Sequence, residues 1–159
     1  DVAQLSRDRD ALREHSRRTR DFELRFTAWH VGVTKPVIAA VNGVCAGAGL
    51  HFVADADIVI ASRDATFLDP HVSVGQVSAF ETIALVRKSP MEAIARMALI
   101  GRHERMTAAR AYELGIVSEV VDPEGLHDVA QALGETIARN PPEALRRTKQ
   151  LLWLALETT

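Results

Sequence analysis

A chain of 159 residues with 47% apolar content is long enough to fold around one hydrophobic core. Its formal net charge of −2 gives no electrostatic reason to expect nucleic acid or a membrane surface as the main partner, and no run approaches the roughly 18 apolar residues that a membrane-spanning helix needs. The single cysteine, Cys45, excludes an internal disulfide and fits a reducing compartment. Together with an opening stretch that has no apolar signal-peptide segment, this makes the cytoplasm the expected location.

Leu5 to Trp29 carries seven arginines interleaved with acids. Apolar Leu12, Phe22, Leu24, Phe26 and Trp29 predict a long helix, amphipathic in its second half. Arg17, Arg18 and Arg20 have the chemistry to pair with phosphates, although alternation with Asp8, Asp10, Glu14, Asp21 and Glu23 reads as a solvated face. Pro36 to Val41 is a β-branched apolar run, expected as a fully buried strand, and Asn42-Gly43 ends it with a turn dipeptide. A small-residue loop then opens a helix over 47–55. Strands are expected at Asp57–Ser62 and, as a short extended piece, Thr66–Leu68. Helices are predicted over Ser78–Arg87 and, after Pro90 at a helix start, Met91–Ile100. Thr107 is placed to N-cap Ala108–Leu114, with Gly115 just beyond its end. Ile116–Val121 reads as a strand, and Pro123–Arg139 and Pro142–Leu156 as amphipathic helices. Alternating strands and helices make the fold class α/β.

The segment from Lys35 to Leu50, KPVIAAVNGVCAGAGL, carries the most information. A strand, a glycine-rich loop and a helix start expose backbone N–H groups where a ligand can approach closely. A tight buried turn of no further consequence would read the same way. The segment resembles the signature of the enoyl-CoA hydratase/isomerase (crotonase) superfamily. The resemblance continues through Asp57–Ser62, Ala65-Thr66-Phe67, Pro70 and Gly75, and resumes from Arg105 to Val117. It implies a crotonase-like spiral of ββα units over 1–121, its first strands missing upstream, and a helical C-terminal trimerisation region over 122–159. The chain is expected to be truncated at both ends, with Asp1-Val2 closing the loop that holds the family's first oxyanion donor.

The resemblance implies a site in which two backbone N–H groups hold a thioester oxygen as negative charge develops on it. By register Ala48, between Gly47 and Gly49, matches the second donor; the bland alternative is a packing residue in a tight loop. The two glutamates of the family's hydratases fall at His51 and His71, so a standard two-glutamate hydration is not expected. Two imidazoles can still move protons near neutral pH, with Glu81, ten residues after His71, as the candidate acid partner. A packed His51, a solvated His71 and an ordinary helix acid are the structural alternatives. Asp69 is placed to orient His71, though only two residues away with a proline between. No metal spacing links His51, His71 and Asp69, no nucleophile-elbow context surrounds Ser73 or Ser78, and His15, His30, His103 and His127 match no family site. Cys45 reads as an inert packed thiol.

The function implied by the resemblance is that of an enoyl-CoA hydratase/isomerase-type enzyme, a lyase or isomerase of fatty-acid metabolism, acting on an acyl-CoA. Coenzyme A enters as part of the substrate and no permanently bound cofactor is expected. The resemblance also implies a homotrimer or a dimer of trimers. Two alternatives stand beside it: a β-diketone carbon–carbon bond hydrolase of the same superfamily, and a non-catalytic scaffold that retains the fold.

Overall fold

The structure, a computed structural model, describes residues 26–157. The arginine-rich stretch expected to be helical therefore lies mostly outside the described residues. Its last part does not continue as helix. Thr27 to Gly32 is a chain of turns, closed by N–H bonds from Gly32 to the Trp29 carbonyl and from Val33 to that of Ala28. Gly32 adopts φ +70°, a conformation that ends regular helix and suits glycine.

Twelve strands and α-helices come next among the described residues, beginning with β1 (Ile38–Val41), β2 (Val44–Ala46), α1 (Gly49–Ala54), β3 (Ile58–Ser62) and β4 (Thr66–Leu68). After them come α2 (Phe80–Val86), α3 (Met91–Ile100), β5 (Met106–Thr107), α4 (Ala108–Glu113), β6 (Glu119–Val121), α5 (Leu126–Ala138) and α6 (Pro142–Ala155). The strands form two three-stranded sheets, β1-β3-β6 and β2-β4-β5. The first four strands alternate between the sheets: β1 pairs parallel with β3 and β2 pairs parallel with β4, with α1 between the pairs. This alternation is the ββα spiral. Among the described strands only β5 runs antiparallel, against β4.

β3 is the buried strand, with Val59, Ile60, Ala61 and Ser62 all inside. β1, expected as fully buried, is only partly so, because among the described residues it is paired on one side alone. β2 and β5 carry no signal of their own in the sequence; three and two residues between loops are too short for a periodic pattern. Leu50 and Val53 of α1, Phe67 of β4, Leu85 of α2, Ile94 of α3 and Val117 meet in one core, each worth roughly 1.5–3 kcal/mol of burial. Thr107 caps α4 as expected, its hydroxyl accepting from the Arg110 N–H at 3.2 Å.

Polar contacts hold the last helix and α1 in place. Asp57 accepts from the Val37 N–H at 2.7 Å, from Trp153 Nε1 at 2.6 Å, and pairs with Lys149 Nζ at 2.8 Å. These three bonds tie α6 to the entry of β1 and β3. Lys88 donates to the Val53 and Ala56 carbonyls at 3.3 and 2.8 Å, placing a cation at the C-terminal end of α1. Its ammonium also lies 5.1 Å from the Trp153 ring. The helix that carries His51 is thus fixed at one end by a half-buried charge and along its length by Leu50 and Val53.

Candidate active site

Where β2 ends, Gly47 turns the chain at φ +51°, which strains any residue with a side chain. Ala48 comes next at φ −55° and ψ −22°, an ordinary helical conformation that alanine adopts freely. The Leu50 N–H bonds to the Gly47 carbonyl at 2.8 Å, and the His51 N–H to that of Ala48 at 3.3 Å. No described residue accepts from the N–H of Ala48, and Ala48 is exposed. One backbone donor at this loop is therefore open to a ligand oxygen.

A polar cluster lies beside it, at the end of β4. The Asp69 side chain is completely buried. Its Oδ1 accepts from the His71 backbone N–H at 3.0 Å and lies 2.5 Å from His71 Nδ1. Ser78 donates its hydroxyl to Oδ2 of the same carboxylate. With Asp69 as acceptor, Nδ1 of His71 carries a proton and Nε2 is the nitrogen left for chemistry. The ring lies over the glycine loop: a Cβ at Gly47 would sit 3.8 Å from His71 Cε1.

Glu81, in the first turn of α2, stands between the two histidines. Its Oε1 is 3.5 Å from His71 Nδ1 and its Oε2 is 3.7 Å from His51 Nε2. Glu81 is 4% exposed and His51 5%, so both sit away from bulk water. Packing of α1 against α2 brings them together. All three side chains singled out in the sequence, His51, His71 and Glu81, thus meet at one place, beside the Gly47-Ala48-Gly49 loop.

Burial alone would push the Asp69 carboxyl up, but the hydrogen bonds from His71 and Ser78 outweigh it and hold the group below 3.8. The Asp69 hydrogen bond raises His71 above 6.5; burial opposes this, and the charges of Glu81 and Asp69 add to it. A raised folded value means that protonated His71 contributes stability fully below pH 6.5, lost as pH rises through the folded value. Depressed Asp69 contributes above pH 3.8, and that contribution is lost as pH falls through its folded value. Asp69→Asn is accordingly expected to cost about 1.5–3 kcal/mol, as for hydrogen bonds to a charged group. Denaturant unfolding should show the largest loss in the mildly acidic window between those limits and a smaller one at alkaline pH. A loss independent of pH would show that the pair does not titrate in this way.

Two members of this neighbourhood carry no signal of their role in the sequence. Ser78, which lacks a nucleophile's context, anchors Asp69 instead. His30, matching no family site, is half-buried: its Nδ1 lies 2.8 Å from Thr27 Oγ1 and 3.6 Å from Asp55 Oδ2. A local signal exists for Asp69, because an aspartate whose side chain accepts from the N–H two residues on forms an Asx-turn. Nothing local joins Ser78 to Asp69 or His30 to Asp55. His103 and His127 are exposed. Burial pushes the Cys45 thiol up to about 11, leaving it protonated and inert.

Two open grooves are lined by other residues, and the first reaches Gly49 of the loop. One, of about 390 Å³, runs along Val37 to Cys45 and Phe52. The other, of about 410 Å³, lies between α3 and α4, lined by Arg96, Arg105 and Arg110. Neither includes His51, His71 or Glu81.

Comparison with known proteins bears on this geometry. The profile of the family described as enoyl-CoA hydratase/isomerase matches residues 12–159. The chain is 38% identical over 122 residues to the (E)-benzylidenesuccinyl-CoA hydratase of Thauera aromatica, covering 76% of this chain and 47% of that protein. It is 39% identical over 119 residues to the 1,2-epoxyphenylacetyl-CoA isomerase of Escherichia coli, covering 74% and 45%. The crystal structure of an enoyl-CoA hydratase/isomerase from Mycobacterium paratuberculosis superposes with a TM-score of 0.77 at 46% identity, covering 79% of this chain and 47% of that one. The chain spans about half the length of the curated relatives it matches. No described helix is long and apolar enough to cross a membrane. The ββα spiral, the glycine-loop signature and the matched profile together establish that the chain belongs to the enoyl-CoA hydratase/isomerase (crotonase) family.

Proposed function

We propose that the protein acts on an acyl-CoA thioester, taking a proton from the carbon next to the carbonyl and holding the resulting enolate. The observation that supports this best is the open Ala48 N–H beside a histidine whose far nitrogen is unengaged and whose near nitrogen is held by a buried carboxylate. The thioester oxygen accepts from Ala48 N–H. His71 Nε2 removes the α-proton, the C–H electrons move into the new C=C bond, and the carbonyl electrons move onto the oxygen. Each such preorganised donor is worth about 2.7–4 kcal/mol at the transition state. Glu81 and Asp69 stabilise the imidazolium that forms, and His51, across Glu81, serves as the second proton site.

Relatives of the chain include a hydratase and an isomerase named for coenzyme A thioesters. Both types of reaction can pass through an enolate. With histidines in place of the hydratase glutamates, proton transfer within the acyl chain fits this site better than two-carboxylate activation of water. The His71–Asp69 pair also supports a second reading, activation of water for cleavage of a β-diketone. Exposed Leu151 and Leu152 on α6 offer an apolar surface for assembly, consistent with a trimer or a dimer of trimers.

Acetoacetyl-CoA, titrated into the full-length protein and followed by ultraviolet difference spectra across pH 6–9, tests the proposal. A new enolate band that weakens with a coenzyme-free analogue is the expected result. A band of equal strength without the coenzyme favours the diketone hydrolase. Absence of both band and calorimetric binding contradicts the thioester reading and favours the scaffold.

A further inference from the structure

Beside His51, two imidazoles and a buried carboxylate converge. His51 and Asp55 are four residues apart at α1, on one side of the helix. His30 reaches them from the Thr27–Gly32 turn. One potential ligand atom from each of His30, His51 and Asp55 lies within 4.8 Å of the other two. The Thr27 hydroxyl donates to Asp55 Oδ2 at 2.6 Å, so its single proton is spent there. His30 Nδ1 lies 2.8 Å from that hydroxyl and 3.3 Å from the Thr27 N–H, and its tautomer decides whether it donates to the first or accepts from the second. The same nitrogen lies 3.6 Å from Asp55 Oδ2. None of the hydrogen bonds among the described residues engages the His51 ring, although the residue is 5% exposed.

We propose that His30, His51 and Asp55 form a binding site for a divalent transition-metal ion of the zinc class. Two imidazoles and one carboxylate are the donor set that such ions accept, with a fourth position left for water. Magnesium and calcium, which take oxygen ligands, do not fit it. Thr27 supplies the outer hydrogen bond that orients a ligating carboxylate. Bonds of about 2.1 Å in a tetrahedral site put ligand atoms roughly 3.4 Å apart. The widest pair must therefore close, and His30 is the half-buried member, carried on a turn. The surrounding charges act in both directions: Glu81 beyond His51 favours a cation, and Lys88, which feels the charge of Asp55, opposes it.

A consequence rests on the function proposed above: a metal that fixes His51 withdraws it from Glu81 and inhibits proton transfer. Binding itself does not depend on that function. The experiment is titration of the full-length protein with Co2+ and with Zn2+, reading Co2+ visible absorption and Zn2+ calorimetry. The expected result is one saturable site with tetrahedral Co2+ bands, displaced by Zn2+. His30→Ala should weaken it more than tenfold and Thr27→Val roughly 10–100-fold, as loss of an outer hydrogen bond does, while His71→Ala leaves it unchanged. Absence of a saturable site, or one that survives His30→Ala, overturns the proposal. Binding without inhibition would leave the metal site standing and count instead against the role of His51.

Discussion

Glu81→Gln is expected to slow exchange of the α-protons of a bound saturated acyl-CoA by roughly 10²–10⁴-fold, the usual worth of a positioned acid–base group. The substitution keeps the side chain's size and removes only its charge. That charge is what reaches two imidazoles at once, His71 Nδ1 at 3.5 Å and His51 Nε2 at 3.7 Å. Neither distance is a tight hydrogen bond, so the effect is electrostatic and grows in a site largely closed to water. Without the carboxylate, the imidazolium formed on His71 keeps Asp69 but loses its second counter-charge, and His51 loses its link to the reacting centre. Affinity for the acyl-CoA should change little, because Glu81 faces histidines rather than the loop. Deuterium uptake followed by nuclear magnetic resonance, with binding measured separately, checks both parts. An unchanged exchange rate would make Glu81 an ordinary packed acid.

The architecture is legible in the sequence where residues are numerous and patterned. The β-branched runs before Val41 and Ser62 and the amphipathic spacing of Met91–Ile100 specify their elements directly. Short elements are not legible. β2 is three residues, Val44-Cys45-Ala46, held by pairing with Thr66–Leu68 rather than by local preference. The turn at Thr27–Gly32 is held by bonds across three to five residues and by one left-handed glycine, which a helical pattern in the preceding residues obscures.

The candidate site divides in the same way. Register against a family signature locates Ala48, His51 and His71, and spacing from His71 locates Glu81. The Asp69–His71 contact is awkward to foresee across Pro70, yet it is an Asx-turn, and His71 then begins a short 3₁₀ turn over Val72–Val74. Ser78 reaches Asp69 only because that turn and the loop after it fold back to α2. His30 reaches Asp55 because α1 and the preceding turn pack side by side. Such contacts belong to the three-dimensional path of the chain and leave no period in the sequence.

The central claim is that the Ala48 N–H holds the thioester oxygen, and Ala48→Pro tests it most directly. Proline fixes φ near −65° and removes the donor. Ala48 already sits at φ −55°, and no described residue accepts its N–H. The substitution therefore deletes the proposed donor while leaving the described hydrogen bonds intact, and stability should change little. The predicted result is a fall of roughly 10²–10³-fold in α-proton exchange, as for other single oxyanion donors. The acetoacetyl-CoA enolate band should weaken in parallel. A folded Ala48→Pro protein that exchanges α-protons at the unsubstituted rate would contradict the account.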